Sequence, residues 1–167
     1  MEFALVFDRF LHILAGITWI GLLYYFNFVQ VPGMKKAKAD NTAAGIAKHI
    51  APCALLWFRW AALATWITGS YYLAHGGHGW VKAFTLQGSA AYIGIGAWLG
   101  TVMLFNVWVL IWPNQKKVLG IVEATGEEKA KAARVALLAS RTNTMLSIPM
   151  LFFMIVGTPA HTTGIFG

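Results

Sequence analysis

Long apolar runs separated by short polar connections dominate this chain. Four runs stand out, roughly Phe3 to Val31, Pro52 to Leu73, Ala90 to Trp112, and Asn143 to Val156. A helix needs about 20 apolar residues to cross ~30 Å of hydrocarbon, and the first three runs meet that length. The fourth is short, but the alanine-rich stretch Glu127 to Ser140 leads straight into it. One long helix is expected there, bent at Pro149, where the ring removes a backbone donor. The pattern predicts an all-α integral membrane four-helix bundle.

Within the runs one phrase occurs twice. Trp19-x-Gly21-x4-Phe26-Asn27 is followed by Pro32 and Lys35-Lys36, and Trp98-x-Gly100-x4-Phe105-Asn106 by Pro113 and Lys116-Lys117. The spacing from Trp to Asn is identical, and two extra residues precede the second Pro. The chain therefore reads as two tandem parallel-repeat helical hairpins, repeat 1 about 3–74 and repeat 2 about 89–161, forming one four-span domain over 1–167. Matched placement of a Trp, a small residue and a carboxamide points to activity between the halves.

Composition agrees with the pattern. The residues are 58% hydrophobic and 11% charged, against about 25% charged in soluble domains. The net charge of +7 does not indicate nucleic-acid binding, because Lys and Arg sit at the ends of apolar runs and form no basic face. Ten basic residues lie in the two connections following helices 1 and 3 or at the helix 4 entry, and only Arg9 and Lys82 lie at the other ends. By the positive-inside rule, both termini and the His75–Gly88 loop face outward, to the periplasm of a bacterial inner membrane. The first run opens with Met1-Glu2 and no Ala-x-Ala site follows, so it is expected to stay as a spanning helix. Cys53 is the only cysteine, which leaves no internal disulfide, no Cys-x-x-Cys-His haem attachment and no iron–sulfur cluster. The segments Ala37 to His49 and Glu127 to Ser140 mix Lys with Ala, Val and Leu as helices at the headgroups do.

Polar residues at membrane depth carry the candidate chemistry. Arg59 lies about two turns into helix 2, and no acid shares its depth. Carbonyls, Asn27 and Asn106, water, an anionic ligand, or snorkelling to the interface would each satisfy it. Asn27, Gln30, Asn106, Asn114, Gln115, Arg141, Asn143 and Ser147 all fall in the inner part of the bundle. They read either as polar contacts between helices or as a pocket for a planar polar substrate. His12 follows Asp8 by one turn, so that carboxylate is in place to orient its ring. His75, His78 and His161 gather with His12 at the outer face, from three different helices. His12 with a partner from that set meets the topological requirement for a b-type haem; another metal, or a structural role alone, fits the same residues. No paired intramembrane carboxylates, Ser-His-Asp constellation or glycine-rich phosphate loop is present, so any catalysis rests on a bound redox cofactor.

Several phrases together resemble the membrane portion of bacterial cytochrome-c-linked urate oxidases. They are Arg9-Phe-Leu-His12-Ile-Leu-Ala-Gly16-Ile-Thr-Trp19-Ile-Gly21, Leu56-Trp-Phe-Arg59-Trp60, Ala64-Thr65-Trp66-Ile67-Thr68-Gly69, Asn106-Val107, Pro113-Asn114-Gln115-Lys116, and Arg141 through Asn143 to Pro149. The resemblance implies a membrane domain that oxidises, or helps to oxidise, a purine-like substrate and passes electrons to a c-type cytochrome. It makes His12, Arg59, Asn106, Asn114, Gln115, Arg141, Asn143 and His161 the candidate site residues. With no Cys-x-x-Cys-His in this sequence, the electron acceptor is expected on a separate subunit. A weaker similarity, in size and in a helix 1 histidine, links the chain to four- or five-helix haem-binding protoporphyrinogen oxidases.

Three functions follow. One is a redox membrane subunit binding haem b near the outer face and exchanging electrons with a c-type cytochrome. Another is a non-catalytic accessory subunit of a larger respiratory or photosynthetic membrane complex. A small transporter or channel, suggested by the repeat and Arg59, ranks last, because the broken helices and intramembrane carboxylates of coupled transport are missing.

Overall fold

A computed structural model of the chain describes residues 2–157. Among them the fold is all helical, with α1 Glu2–Ala39, α2 Ala43–His75, α3 Trp80–Phe84, α4 Ala90–Val118 and α5 Gly126–Val156. Three helices, α1, α2 and α4, are long and apolar enough to cross a membrane. The fourth long helix, α5, runs 31 residues without a break through Pro149. Its first turns carry Glu127, Glu128, Lys129, Lys131 and Arg134, and its apolar part begins only beyond them. A capping box starts it: the Glu128 amide donates to Thr125 Oγ1 at 3.2 Å, and the Thr125 amide donates to Glu128 Oε2 at 2.8 Å.

Each of α1, α2 and α4 contains a π-helical turn just upstream of a proline. The turns are Tyr25–Gln30, Ile46–Ile50 and Asn106–Ile111, ahead of Pro32, Pro52 and Pro113. In each, the residue before the proline donates its amide five residues back: Val31 to Phe26, Ala51 to Ile46, Trp112 to Val107. A proline inside a helix lacks a donor and crowds the carbonyl four residues earlier. Widening the preceding turn relieves that crowding and lets the helix continue. Hence α1 and α4 run on past the ends that their prolines suggest. The first and third wide turns lie within the repeated phrase, and the second, ahead of Pro52, lies outside it.

The expected headgroup helix Ala37 to His49 is not a separate element. Asn41, with φ 59°, breaks it into the end of α1 and the start of α2, and the Thr42 amide closes the turn on the Ala37 carbonyl at 2.8 Å. The segment Glu127 to Ser140 is the first half of α5.

Short turns make α1 antiparallel to α2 and α4 antiparallel to α5, and these two pairs hold most of the packing. Lys35-Lys36 and Lys116-Lys117 consequently lie at one end of the bundle. The pairs meet through lighter α2–α4 and α1–α5 contacts, including a Trp66 Nε1–H bond to Thr101 Oγ1 at 2.9 Å and an edge-to-face Trp60–Trp108 contact. The core holds Trp19, Leu23, Phe58, Met103 and Val107 with two fully buried polar residues, Asn143 and Ser147. The repeat is not equivalent in environment: Trp19 is 2% exposed and Trp98 48%. Trp98 instead donates to the Phe84 carbonyl of α3 at 2.9 Å. That short helix lies so close to α4 that a Cβ at Gly94 would overlap the Ala83 carbonyl oxygen.

Candidate functional site

Where the two hairpins meet lightly, a half-open cavity of about 660 Å³ lies between them. Its wall draws on all five helices, with Trp19, Trp66 and Phe84 as large faces and Gly16, Gly69, Ala97 and Gly100 as the small residues that leave the space. Two basic side chains of α1 line it, Arg9 and His12. Arg9 stands 5.9 Å from the Tyr72 ring, a weak cation–π contact.

His12 is held on one side only. Its Nδ1 lies 2.8 Å from the Thr65 carbonyl oxygen and 3.3 Å from Thr68 Oγ1. A carbonyl only accepts, so Nδ1 carries the proton, and in the neutral ring the Nε2 lone pair is left for a ligand. Gly69 makes the room: a Cβ there would come within 2.8 Å of His12 Cε1. The ring is thus oriented by α2 rather than by Asp8 one turn earlier, whose Oδ2 is buried without a hydrogen-bond partner. Sequence reading could not anticipate this, because the partner is a backbone carbonyl 53 residues away.

Below the cavity, towards the basic end, a polar seam ties both repeats to α5. Ser147 donates to the Thr144 carbonyl at 2.7 Å, so the Tyr24 hydroxyl, which lines the cavity, donates to Ser147 Oγ at 3.0 Å. Asn27 Nδ2 donates to Ser140 Oγ at 2.8 Å, and Asn106 Nδ2 to Asn143 Oδ1 at 2.8 Å. Asn143 Nδ2 in turn donates to the Met103 carbonyl at 2.9 Å. The two matched carboxamides therefore engage positions 140 and 143, neighbours on α5.

The other sequence candidates lie apart. Asn114 bonds locally to the Leu110 carbonyl at 2.7 Å, Gln115 is half-buried, and Arg141 is exposed. Arg59 places Cζ 3.7 Å from the Trp112 ring centroid. His75 is exposed and stacks on Tyr71 at 4.3 Å. His78 directs Nε2 to the Gly157 carbonyl at 3.3 Å. Neither histidine lines the cavity, and His161 lies outside the described residues. Among the described residues, no group of three or more His, Cys, Asp or Glu is placed to hold a metal ion. What the geometry offers is a flat-walled apolar chamber with one prepared imidazole and one cation. Tyr24, Thr65 and Arg9 complete it; the hydroxyl of Tyr24, one turn before Asn27, was the available signal for the first.

No curated protein and no solved structure matches the chain. The sequence model of the family described as urate oxidase N-terminal matches residues 72–165, more than half of the chain. That span takes in α3, α4 and α5, with the Asn106, Pro113-Asn114-Gln115 and Arg141–Asn143 phrases, while the His12 and Arg59 phrases precede it. By that match, the chain belongs to the urate oxidase N-terminal family.

Proposed function

We propose that the chain is a redox-associated membrane subunit whose inter-hairpin cavity takes a haem b with His12 as ligand. One observation carries the proposal: His12 Nδ1 is committed to the Thr65 carbonyl at 2.8 Å while the ring lines the cavity. A metal-ligating histidine ordinarily donates its other N–H to such an acceptor, which fixes the tautomer and the ring plane. The cavity volume of about 660 Å³ suits a small-molecule site, for which ~300–1,000 Å³ is usual. A bound haem would supply reversible one-electron chemistry at its iron. The chain's residues do the rest: Thr65 holds the imidazole proton at Nδ1, Gly69 leaves space for the ring, Trp19 and Trp66 would flank the group, and Arg9 would pair with its anionic groups. All four long helices span the bilayer in this reading, with the lysine-rich end in the bacterial cytoplasm and both termini in the periplasm. His12 then lies towards the outer side, suited to electron exchange with a c-type cytochrome, as the membrane part of a urate-oxidase-like system.

The test is a visible spectrum of the purified protein, oxidised and reduced. A Soret band that disappears in His12→Ala and survives in His75→Ala and His78→Ala is expected. A colourless, folded wild-type protein would refute the proposal. It would select a second reading, an accessory subunit of a larger respiratory or photosynthetic complex, which the exposed aromatic stripe Phe3, Phe7 and Phe10 on α1 favours.

A further inference from the structure

Two cations converge on one indole at the basic end of the bundle. Arg59 of α2 sets Cζ 3.7 Å from the Trp112 ring centroid, and Lys116 of α4 sets Nζ 5.8 Å from it. Arg59 is half-buried, and its described partner is this ring rather than an acid. The acids at that end, Asp40, Glu123, Glu127 and Glu128, lie in the turns and in the first turn of α5. Ring attraction is worth only about 0.5–2 kcal/mol per cation and neutralises neither charge. An anion held at this indole neutralises them.

Depth and geometry say which anion. Trp112 ends the apolar run of α4, and Pro113-Asn114-Gln115-Lys116-Lys117 follows at once. The indole thus marks the boundary between acyl chains and headgroups. A guanidinium lying against an indole face keeps its in-plane N–H fork free, and that fork matches two phosphate oxygens. Lysines at this level add attraction for anionic lipid. We propose that Arg59, stacked on Trp112, and Lys116 bind the phosphodiester headgroup of an anionic phospholipid in the leaflet at the basic end. The site is separate from the cavity and does not depend on haem.

The experiment is native mass spectrometry of the full chain released from phosphatidylcholine nanodiscs doped with phosphatidylglycerol. The wild type should retain phosphatidylglycerol and shed phosphatidylcholine. Arg59→Gln should raise the apparent dissociation constant by roughly tenfold or more, since a hydrogen-bonded charge is lost. Lys116→Gln should weaken binding less, Arg59→Lys should fall between Arg59→Gln and the wild type, and exposed Lys131→Gln should change nothing. Thermal unfolding reports whether Arg59→Gln remains folded; if it does not, Arg59→Lys and Lys116→Gln carry the test. Equal retention by these variants and the wild type would overturn the proposal, as would equal retention of phosphatidylcholine. Displacement of the lipid by matched inorganic phosphate would overturn it too, assigning the cations to a free anion.

Discussion

Replacing Asn143 with leucine tests whether the polar seam holds α4 to α5. Asn143 is 0% exposed and makes two bonds, accepting from Asn106 Nδ2 at 2.8 Å and donating to the Met103 carbonyl at 2.9 Å. Leucine is close in size, so the cavity contribution is small. The Met103 carbonyl keeps a partner, because it also accepts the Asn106 backbone amide. What the substitution strands is the Asn106 carboxamide, itself 9% exposed. An unpartnered buried polar group costs about 1–3 kcal/mol, while hydrogen bonds measured inside membranes average about 0.6 and reach about 1.7. Asn143→Leu should therefore destabilise the bundle by about 2 kcal/mol. Asn106→Leu should cost a similar amount, and the double variant should recover about 1 kcal/mol relative to the sum. Reversible unfolding by steric trapping in bicelles measures all four corners of the cycle. If the single losses add to within about 0.3 kcal/mol, the two carboxamides do not act as a pair and the reasoning fails.

Gly69→Ala should push the His12 ring off the Thr65 carbonyl, because the new Cβ would lie 2.8 Å from Cε1. A loss of about 1–3 kcal/mol is expected, together with weakened haem uptake in an optical titration. Gly94→Ala should be worse, about 3 kcal/mol or more, because Cβ meets a backbone carbonyl that cannot turn aside; thermal unfolding in detergent reads it. The Thr125 amide and hydroxyl hold the Glu128 carboxyl below the ordinary carboxylate range. A carboxyl with a depressed pKa stabilises the fold above its unfolded-state pKa, and that stabilisation fades as pH falls through the folded value. The first turn of α5 should accordingly exchange its amides faster, relative to a peptide control, on acidification from about pH 6 to about pH 3. Glu128→Gln should flatten that dependence.

How much of this was legible depended on whether a signal ran along one helix or between two. Long apolar runs announced the membrane-length helices, and the clustering of lysines announced which helix ends lie together. The Trp-to-Asn spacing was also informative: both carboxamides reach α5, at positions 140 and 143. Environment was not encoded in that spacing. Trp19 faces the core, whereas Trp98 turns to α3, a five-residue helix that its short sequence does not signal. The prolines suggested helix ends, yet the wide turns before Pro32, Pro52 and Pro113 carry each helix onward. Asp8 was the visible candidate to orient His12, but a backbone carbonyl has no residue identity to read. Arg59 had several conceivable partners, and the Trp112 ring reached from the other hairpin was not among them.

Removing the His12 imidazole and giving it back as a free molecule tests the account most directly. In His12→Gly the side chain is gone while the Thr65 carbonyl and the space at Gly69 remain. Haem added to the purified variant should bind weakly, and millimolar imidazole should restore a wild-type-like Soret band. A wild type that takes up no haem would contradict the account. So would a His12→Gly variant that binds haem with an unchanged spectrum in the absence of imidazole.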